Sequence, residues 1–185
     1  MKNIKLTHNI SLINKRFKKN QFYHYLTTSN LSLVIPKIEN KYILVSQKRI
    51  PINKKNYEFP SGIIEKNETA TISANKELFE ETGYKSKIRL KKITSFYTEP
   101  GRLNTKITGF FTDEIVKINK PESGIELLYV TENQIIKYIK NGKLVLDANS
   151  EIKLINLDEI YCRKLRDSVK ECCHRGTQCP NGEHI

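Results

Sequence analysis

One continuous segment, Gly62 to Tyr84, constrains this chain more than any other part of its sequence. It reads GIIEKNETATISANKELFEETGY and combines a small-residue turn, a helix start and a group of carboxylates. On a helix, Glu77, Glu80 and Glu81 occupy positions i, i+3 and i+4, so their side chains share one face. Two carboxylates about 5 Å apart repel by about 3 kcal/mol at an effective dielectric of about 20, which favours a bound cation or proton. The segment therefore predicts a hard metal ion, Mg²⁺ or Mn²⁺.

The spacing of the segment distinguishes it from a solvated Glu-rich helix face, which is the simpler alternative for the carboxylates alone. It resembles the Nudix box, the signature of hydrolases that cut a nucleoside diphosphate linked to another moiety. The positions that shape the box in that family are Gly62, Glu68, Lys76 and Gly83 here. Lys76 stands where the family has Arg, and a Lys ammonium offers a point charge in place of a bidentate fork. The resemblance implies that Glu68 orients the box by pairing with Lys76.

Two segments before the box resemble the sequence that precedes it in ADP-ribose and nucleoside-diphosphate-sugar pyrophosphatases. They are Gln47 to Pro51 and Tyr57 to Gly62. Arg49 suits a phosphate or adenine face, with an exposed surface charge as the alternative. Glu58 is expected to bind metal or a ribose hydroxyl, or else to pair with a neighbouring Lys. The resemblance also implies that the backbone carbonyl of Ser61, which replaces the usual Ala, completes the oxygen shell of the metal.

A loop after the box extends the resemblance to the same branch. Glu99-Pro100-Gly101-Arg102 is similar to the (S/D)PG loop of that branch, with Glu99 in place of the common Ser. The resemblance implies that Glu99, Gly101 and Arg102 contact substrate, whereas a tight turn is the default interpretation of Pro-Gly.

The activity implied by the resemblance is Mg²⁺-dependent hydrolysis of ADP-ribose or a related nucleoside diphosphate sugar to a nucleoside monophosphate and a sugar phosphate. Glu77, Glu80 and Glu81 would hold the metal. In this branch the general base comes from a mobile loop after the box, which corresponds to residues 119–124 here. Glu122 is the first candidate for the base and Glu126 the second, and other Nudix branches suggest Glu81.

The order of elements predicts an α+β protein with the Nudix fold, an α/β/α sandwich with a mixed sheet, preceded by a β-rich N-terminal section. A helix is expected from about Thr69 to Thr82, ended by Gly83. A second, from Glu132 to Lys140, begins at a capping box of Thr131 and Gln134. A third is expected at about 150–165. Six strands are expected, at Phe22–Leu26, Leu31–Ile35, Tyr42–Ser46, Ile88–Thr98, Lys106–Phe111 and Ile125–Val130.

The domain organisation expected from this order has three parts. Residues 1–40 form the β-rich section, residues 41–166 the Nudix domain, and residues 167–185 a flexible tail. Members of the branch that this chain resembles are often homodimers that exchange N-terminal strands, which makes 1–40 the expected dimerisation section. The chain contains neither an apolar run near the ~20 residues of a membrane span nor a secretory signal, so a cytoplasmic location is expected.

The formal charge of +12 raises the alternative of nucleic-acid binding, and the densest patch is Lys15-Arg16 with Lys18-Lys19. Lys, Asn and Ile are abundant throughout, so a generally basic surface is the simpler interpretation. Two alternative functions stay open. One is a Nudix enzyme acting on capped or 5′-triphosphate RNA, which a basic and aromatic groove would favour. The other is a non-catalytic Nudix-fold module that binds a nucleotide or RNA.

The C-terminal tail contains Cys172, Cys173, His174 and Cys179. Its spacing departs from standard zinc sites, and adjacent cysteines rarely both bind one ion. Reduced thiols are therefore the expected state of a cytoplasmic tail.

Overall fold

The structure is a computed structural model that describes residues 3–140. The helix predicted at 150–165, the predicted domain end at residue 166 and the cysteine-containing tail lie outside the described residues. Neither helix in the described part has both the length and the apolar character needed to cross a membrane.

The described residues form twelve strands and two α-helices. A single 3₁₀ turn, Ile50–Ile52, follows the fifth strand. The elements are β1 Ile4–Lys5, β2 Ser11–Lys18, β3 Gln21–Thr27, β4 Leu31–Ile38, β5 Lys41–Arg49, β6 Lys54–Glu58, β7 Ser61–Ile63, α1 Ala70–Thr82, β8 Tyr84–Ser86, β9 Lys91–Tyr97, β10 Lys106–Thr112, β11 Ile115–Lys117, β12 Glu126–Val130 and α2 Glu132–Lys140.

The central sheet is mixed, as the sequence predicts. Its strands run in the order β12-β5-β4-β10-β9, with β6 beside β5 and β7 beside β4. The β4–β10 pair is parallel and the other pairs are antiparallel. Strands β4 and β5 are apolar on both faces, since Val34, Ile35, Ile43 and Leu44 are all fully buried.

Strands β4 and β5 separate after their hairpin, and this separation shapes the rest of the fold. They pair only at Lys37–Tyr42 and Ile38–Lys41. Beyond that point β5 pairs with β6, and β4 pairs with β7. The short connection between β6 and β7 therefore crosses the gap between the two central strands. There the carbonyl of Pro60 accepts a hydrogen bond from the amide of Val34 at 2.9 Å.

Helix α1 has the limits that the sequence predicts. The Thr69 hydroxyl caps its start by accepting a hydrogen bond from the amide of Ile72 at 3.3 Å. Gly83 ends it in the left-handed conformation, with φ 71°, and its amide bonds to the carbonyl of Phe79. The buried side of the helix places Ala74 and Leu78 in the same cluster as the sheet residues Val34, Ile43 and Phe110. This packing fixes which side of the helix remains available for the carboxylates.

Helix α2 also begins where predicted. The amide of Gln134 donates to the Thr131 hydroxyl at 3.3 Å, and the Gln134 side-chain oxygen accepts from the amide of Thr131 at 2.8 Å. These two bonds are the reciprocal pair of a capping box.

The β-rich N-terminal section is a separate antiparallel sheet in the order β1-β2-β3. The sequence analysis predicts only β3 of these strands. Strand β2 contains four consecutive exposed residues, Lys15 to Lys18, so its sequence lacks the alternation of a half-buried strand.

Several other strands differ from prediction. The strand expected from Ile88 begins only at Lys91, and the short strands β6, β7, β8 and β11 were not predicted. Strands of three to five residues are too short to establish a periodic pattern, and β8 forms only by pairing with the distant β11.

The loop after β11 is attached to the end of α1. The amides of Ile118 and Asn119 both donate to the carbonyl of Gly83, at 2.9 and 3.0 Å. Lys117 Nζ donates to the carbonyl of Thr82 at 2.6 Å and lies 4.5 Å from the ring centre of Tyr84. Burial lowers the pKa of this ammonium. A Cβ on Gly83 would lie only 2.1 Å from the Asn119 carbonyl oxygen, so close contact with this loop requires glycine.

Gly83→Ala should therefore destabilise the protein more than Gly124→Ala. Both glycines have positive φ, at 71° and 88°, but a Cβ on Gly124 would meet open space. We expect Gly124→Ala to lower the free energy of unfolding by about 1–2 kcal/mol, from backbone strain alone. Gly83→Ala adds a backbone clash to that strain. Urea unfolding of the two variants measures the difference, and equal losses would contradict the proposed contact.

Candidate active site

The three carboxylates of α1 lie in different environments. Glu81 is buried, Glu77 is half-buried and Glu80 is exposed. Glu77 and Glu81 stand one helical turn apart and face the β6–β7 connection, which crosses the gap between β4 and β5. The helix therefore supplies two partly buried acids to this gap, with a third at its edge.

Glu81 is held from two sides. Its Oε2 accepts a hydrogen bond from the backbone amide of Ser61 at 2.9 Å, and its Oε1 accepts one from Gln47 Nε2 at 3.2 Å. Burial is the largest effect on this acid and raises its pKa to about 8, against the opposing bond from Ser61. The charges of Glu77 and Glu58 raise the pKa further, and Arg49 lowers it. In the folded protein Glu81 therefore carries a proton near neutral pH unless a cation lies beside it.

Glu77 packs directly against the backbone of Gly62. A Cβ at Gly62 would lie 1.9 Å from Glu77 Oε1, so any larger residue would displace this carboxylate from its position. Burial and then the charge of Glu80 raise the Glu77 pKa, while Lys76 lowers it. Gly62 thus has a steric function that the sequence alone does not reveal.

Glu68 bonds to a backbone amide and not to Lys76, the partner that the sequence predicts. Glu68 Oε2 accepts a hydrogen bond from the amide of Glu65 at 3.1 Å, which closes the turn before α1. Lys76 is exposed and acts on Glu77 through its charge. A residue so near the start of α1 satisfies local backbone amides more readily than it reaches a side chain two turns away.

The carboxylates fit a hard divalent cation by chemistry and charge. Glu77 and Glu81 are oxygen donors, the charge of Glu77 raises the pKa of Glu81, and Gly62 leaves space beside Glu77. Within residues 3–140, no three Asp, Glu, His or Cys side chains form a ready-made cage for an ion. Two carboxylates suit a hard divalent cation, whose other positions water and substrate phosphate can fill.

Arg49 and Glu58 form a bidentate ion pair next to these acids. Arg49 Nε and a terminal nitrogen donate to the two oxygens of Glu58 at 2.6 and 2.8 Å. Glu58 is buried and Arg49 is half-exposed. The partner of Glu58 is thus an arginine and not the lysine considered from the sequence. Both charges act on Glu81, which places the pair within the same site.

The structure separates the two candidates for the general base. The amide of Glu122 donates to the carbonyl of Glu80 at 2.9 Å, and the charge of Glu122 raises the pKa of Glu77. Glu126 instead begins β12 and pairs with Lys55 at 2.6 Å on an exposed surface. Of these two residues, the structure brings only Glu122 to the carboxylates of α1.

The loop of Glu99, Gly101 and Arg102 is attached to the N-terminal sheet. Glu99 and Arg102 form an exposed ion pair at 3.4 Å, and the carbonyl of Arg102 accepts a hydrogen bond from the amide of Leu26 at 2.9 Å. The hydroxyl of Tyr23 donates to the carbonyl of Gly101. These bonds run to β3 and not to α1, so they attach the loop to the N-terminal hairpin and not to the acids.

Two polar residues of this region were not predicted as site residues. Gln47 lies two residues before Arg49, on the same face of β5, and that spacing could have identified it. Asn56 lies opposite Gln47 in the β5–β6 register. Asn56 is buried, and its side-chain oxygen has no hydrogen-bond partner within the described part of the protein. An unsatisfied acceptor beside the site can receive a hydrogen bond from a ligand or water.

Metal-free protein should become less stable as the pH rises from about 5 towards 8. The folded state keeps the Glu81 proton up to about pH 8, whereas the unfolded chain releases it near the ordinary value of 4.5. The unfolded state thus binds fewer protons in this interval, and stability falls by up to about 1.4 kcal/mol per pH unit. Glu81→Gln should remove this slope, as measured by urea unfolding in EDTA.

Glu80→Gln, which alters an exposed acid one residue away, is the control and should keep the slope of the wild type. Mg²⁺ should reduce the slope of the wild type, because a cation favours the ionised carboxylate. Parallel curves for the wild type and Glu81→Gln would show that Glu81 has an ordinary pKa.

Comparisons with known proteins identify the family of this chain. The family model described as NUDIX domain matches residues 29–159. The ADP-ribose pyrophosphatase of Bacillus subtilis (strain 168) is 34% identical over 117 residues, which are 60% of this chain and 62% of that protein. The methanol dehydrogenase activator of Bacillus methanolicus is 32% identical over 128 residues, 62% of this chain and 63% of that protein. This chain thus spans less than two thirds of either relative.

A solved structure described as a crystal structure of ADP compounds hydrolase has the same fold. It superposes with a TM-score of 0.72 at 13% identity, and the match covers 88% of this chain and 92% of the other chain. At that identity the likeness establishes the α+β fold alone, and the match of the domain model over most of the sequence establishes descent. The chain belongs to the Nudix family.

Proposed function

We propose that the protein is a Mg²⁺-dependent hydrolase of ADP-ribose or a related nucleoside diphosphate sugar, with a nucleoside monophosphate and a sugar phosphate as products. The observation that carries the proposal is the buried Glu81, whose pKa is raised to about 8 beside Glu77. A second support is the likeness to a relative named ADP-ribose pyrophosphatase. Mn²⁺ satisfies the same donor set and is the expected substitute.

The metal would be held by Glu77, Glu80 and Glu81, with the backbone carbonyl of Ser61 as a further oxygen donor. When bound, the ion supplies positive charge that offsets the negative charge developing on the phosphate oxygens. Glu80 is exposed, and its side chain would have to turn towards the other two acids to join them at one ion. Glu68, Lys76, Gly62 and Gly83 have supporting roles, through the turn, the local charge and the two close backbone contacts described above.

Hydrolysis requires an in-line water and a group that accepts its proton. The water oxygen bonds to one phosphorus while the bond from that phosphorus to the bridging oxygen breaks, and the bridging oxygen leaves on the other phosphate. Glu122 takes the proton of the water in this proposal, because its backbone bond to Glu80 keeps it near Glu77. Glu126 is not retained as a base, since Lys55 pairs with it on an exposed strand.

Substrate groups other than the pyrophosphate would contact the Arg49–Glu58 pair and the loop of residues 99–102. Arg49 and Glu58 form a fixed pair of opposite charges, suited to a phosphate on one side and a ribose hydroxyl on the other. In this proposal the nucleoside or the sugar contacts Glu99, Gly101 and Arg102. The unsatisfied oxygen of Asn56 is an additional acceptor close to Arg49 and Glu58.

The protein is also proposed to act as a cytoplasmic homodimer that uses residues 1–40. Strand register places Ile4, Leu12 and Leu26 on one face of the N-terminal sheet. Phe22 lies on that face and is half-exposed, as is Ile4. A second copy packed on this face would bury them. Residues 41–166 would form the catalytic domain together with β4, which lies in the central sheet.

The activity is tested by incubating the protein with Mg²⁺ and a panel of substrates. The panel contains ADP-ribose, nucleotide sugars, dinucleoside polyphosphates and 5′-triphosphorylated RNA, with product release followed by chromatography. We expect metal-dependent turnover of ADP-ribose or a nucleotide sugar, and a loss of about 100-fold or more in kcat for Glu81→Gln. Turnover of RNA alone would favour the alternative of an RNA 5′-end hydrolase, and no turnover would favour a binding module.

Glu122 and Glu126 provide a matched test of the general base. Glu122→Gln should lower kcat by about 10²–10⁴-fold and change KM little, because a base acts in the transition state. Glu126→Gln should leave kcat within about twofold, since its partner is Lys55 on the surface. Steady-state kinetics at saturating Mg²⁺ measures both variants. A large loss in Glu126→Gln with normal turnover in Glu122→Gln would reverse the assignment.

A further inference from the structure

A second pocket lies between the N-terminal hairpin and the wall formed by residues 97–104. Its volume is about 640 Å³, within the range of about 300–1,000 Å³ typical of ligand sites. It is lined by four aromatic residues, two cations and three other side chains, none of them acidic: Phe17, Tyr23, Tyr25, Tyr97, Lys15, Arg16, Pro100, Leu103 and Asn104.

The aromatic wall of this pocket is fixed by strand pairing. Tyr23 lies opposite Lys15 and Tyr25 opposite Ile13, so the two tyrosines and Lys15 share one face of the hairpin. The tyrosine ring centres are 6.4 Å apart. The opposite wall is attached to the hairpin by reciprocal backbone bonds, from the amide of Leu26 to the carbonyl of Arg102 and from the amide of Asn104 to the carbonyl of Leu26. The pocket is thus formed before any ligand binds.

Positive charge surrounds the pocket without local neutralisation. The chain has no acidic residue before Glu39, and the hairpin contains Lys15, Arg16, Lys18 and Lys19. Within the part of the chain that the structure describes, none of these four cations pairs with a carboxylate. The Lys18 ammonium lies 5.4 Å from the ring centre of Phe17, so charge and aromatic surface alternate along the strand.

This combination identifies the ligand class. Exposed aromatic rings stack on unpaired bases, and a line of unpaired cations neutralises successive phosphates. In a duplex the base faces are stacked and inaccessible to these rings. An apolar peptide carries no negative charge that could pair with the four cations. We propose that the pocket and the adjoining hairpin bind a single-stranded polynucleotide, with a base among the tyrosines and the backbone along Lys15 to Lys19. Polynucleotide binding here does not require hydrolysis, and the pocket shares the loop around Pro100 with the substrate site proposed above.

The test measures binding alone. The Glu81→Gln protein, in EDTA, is titrated against fluorescein-labelled 12-mers of single-stranded RNA and DNA, and anisotropy is followed over a range of salt. Four phosphate contacts predict a slope of log K against log salt of about −2.8, at about −0.7 per contact. Lys15→Gln with Arg16→Gln should reduce the slope by about 1.4. The same two changes at the exposed Lys91 and Lys92, at the far end of β9, should leave it unchanged.

The aromatic contribution has its own matched pair. Phe17→Leu should weaken binding about tenfold at every salt concentration and keep the slope. Phe22→Leu removes a similarly exposed ring on the opposite face and should change affinity less than twofold. Circular dichroism and thermal unfolding of each variant establish that the hairpin is folded.

Four results would overturn the proposal. The first is that neither 12-mer binds, and the second is equal affinity for AMP and the 12-mers. The third is equal affinity for duplex and single strands. The last is that the Lys15, Arg16 or Phe17 changes dissociate a dimer and leave polynucleotide affinity unaltered. The second would assign the pocket to one nucleotide, and the last would assign this face to a subunit contact. Sedimentation velocity of the same variants detects the last result. None of these readouts uses ADP-ribose hydrolysis, so failure of the proposed enzyme activity would be recognised separately.

Discussion

A carboxylate inside a protein must be neutral or must face positive charge, and Glu81 is governed by this condition. Its two oxygens accept hydrogen bonds from the backbone of Ser61 and the side chain of Gln47, which join α1 to β7 and β5. Burial outweighs the Ser61 bond and raises its pKa to about 8. The free protein therefore has a neutral acid where a cation would stabilise an anion, and the same residue links the helix, the sheet and the proposed metal site.

The separation of β4 from β5 makes this arrangement possible. A continuous pairing of the two strands would leave no gap for the connection of Phe59 and Pro60 or for β7, which begins at Ser61. Gly62 then allows Glu77 to approach the backbone, and Gly83 allows the loop of Glu122 to contact the end of α1. Each glycine is thus required by a close approach of another group. The branch that this chain resembles places its base on a mobile loop, whereas here a backbone bond to Glu80 attaches Glu122 to the helix.

Local sequence signals predict much of the fold and part of the site. The limits of α1 and α2 follow from Thr69, Gly83 and the Thr131–Gln134 capping box, all of which act within a few residues. The β2 strand and the short strands β6, β7, β8 and β11 depend on distant partners, which local patterns do not contain. For the same reason the sequence keeps Glu126 as a candidate base. The error in pairing Glu68 with Lys76 has another cause, since Glu68 bonds locally to the amide of Glu65. Strand pairing brings Arg49 to Glu58 and Lys55 to Glu126, and the two residues in each case form an ion pair.

Glu81 is neutral until a cation binds, and the NMR signal of its carboxyl carbon reports this protonation state directly. Protein labelled with ¹³C at glutamate carboxyls can be titrated by NMR with and without Mg²⁺, with the Glu81 signal assigned by its loss in Glu81→Gln. The predicted midpoint is about pH 8 in the metal-free protein and moves to lower pH when Mg²⁺ is bound. A midpoint near 4.5 without metal, or one that Mg²⁺ does not move, would contradict the claim.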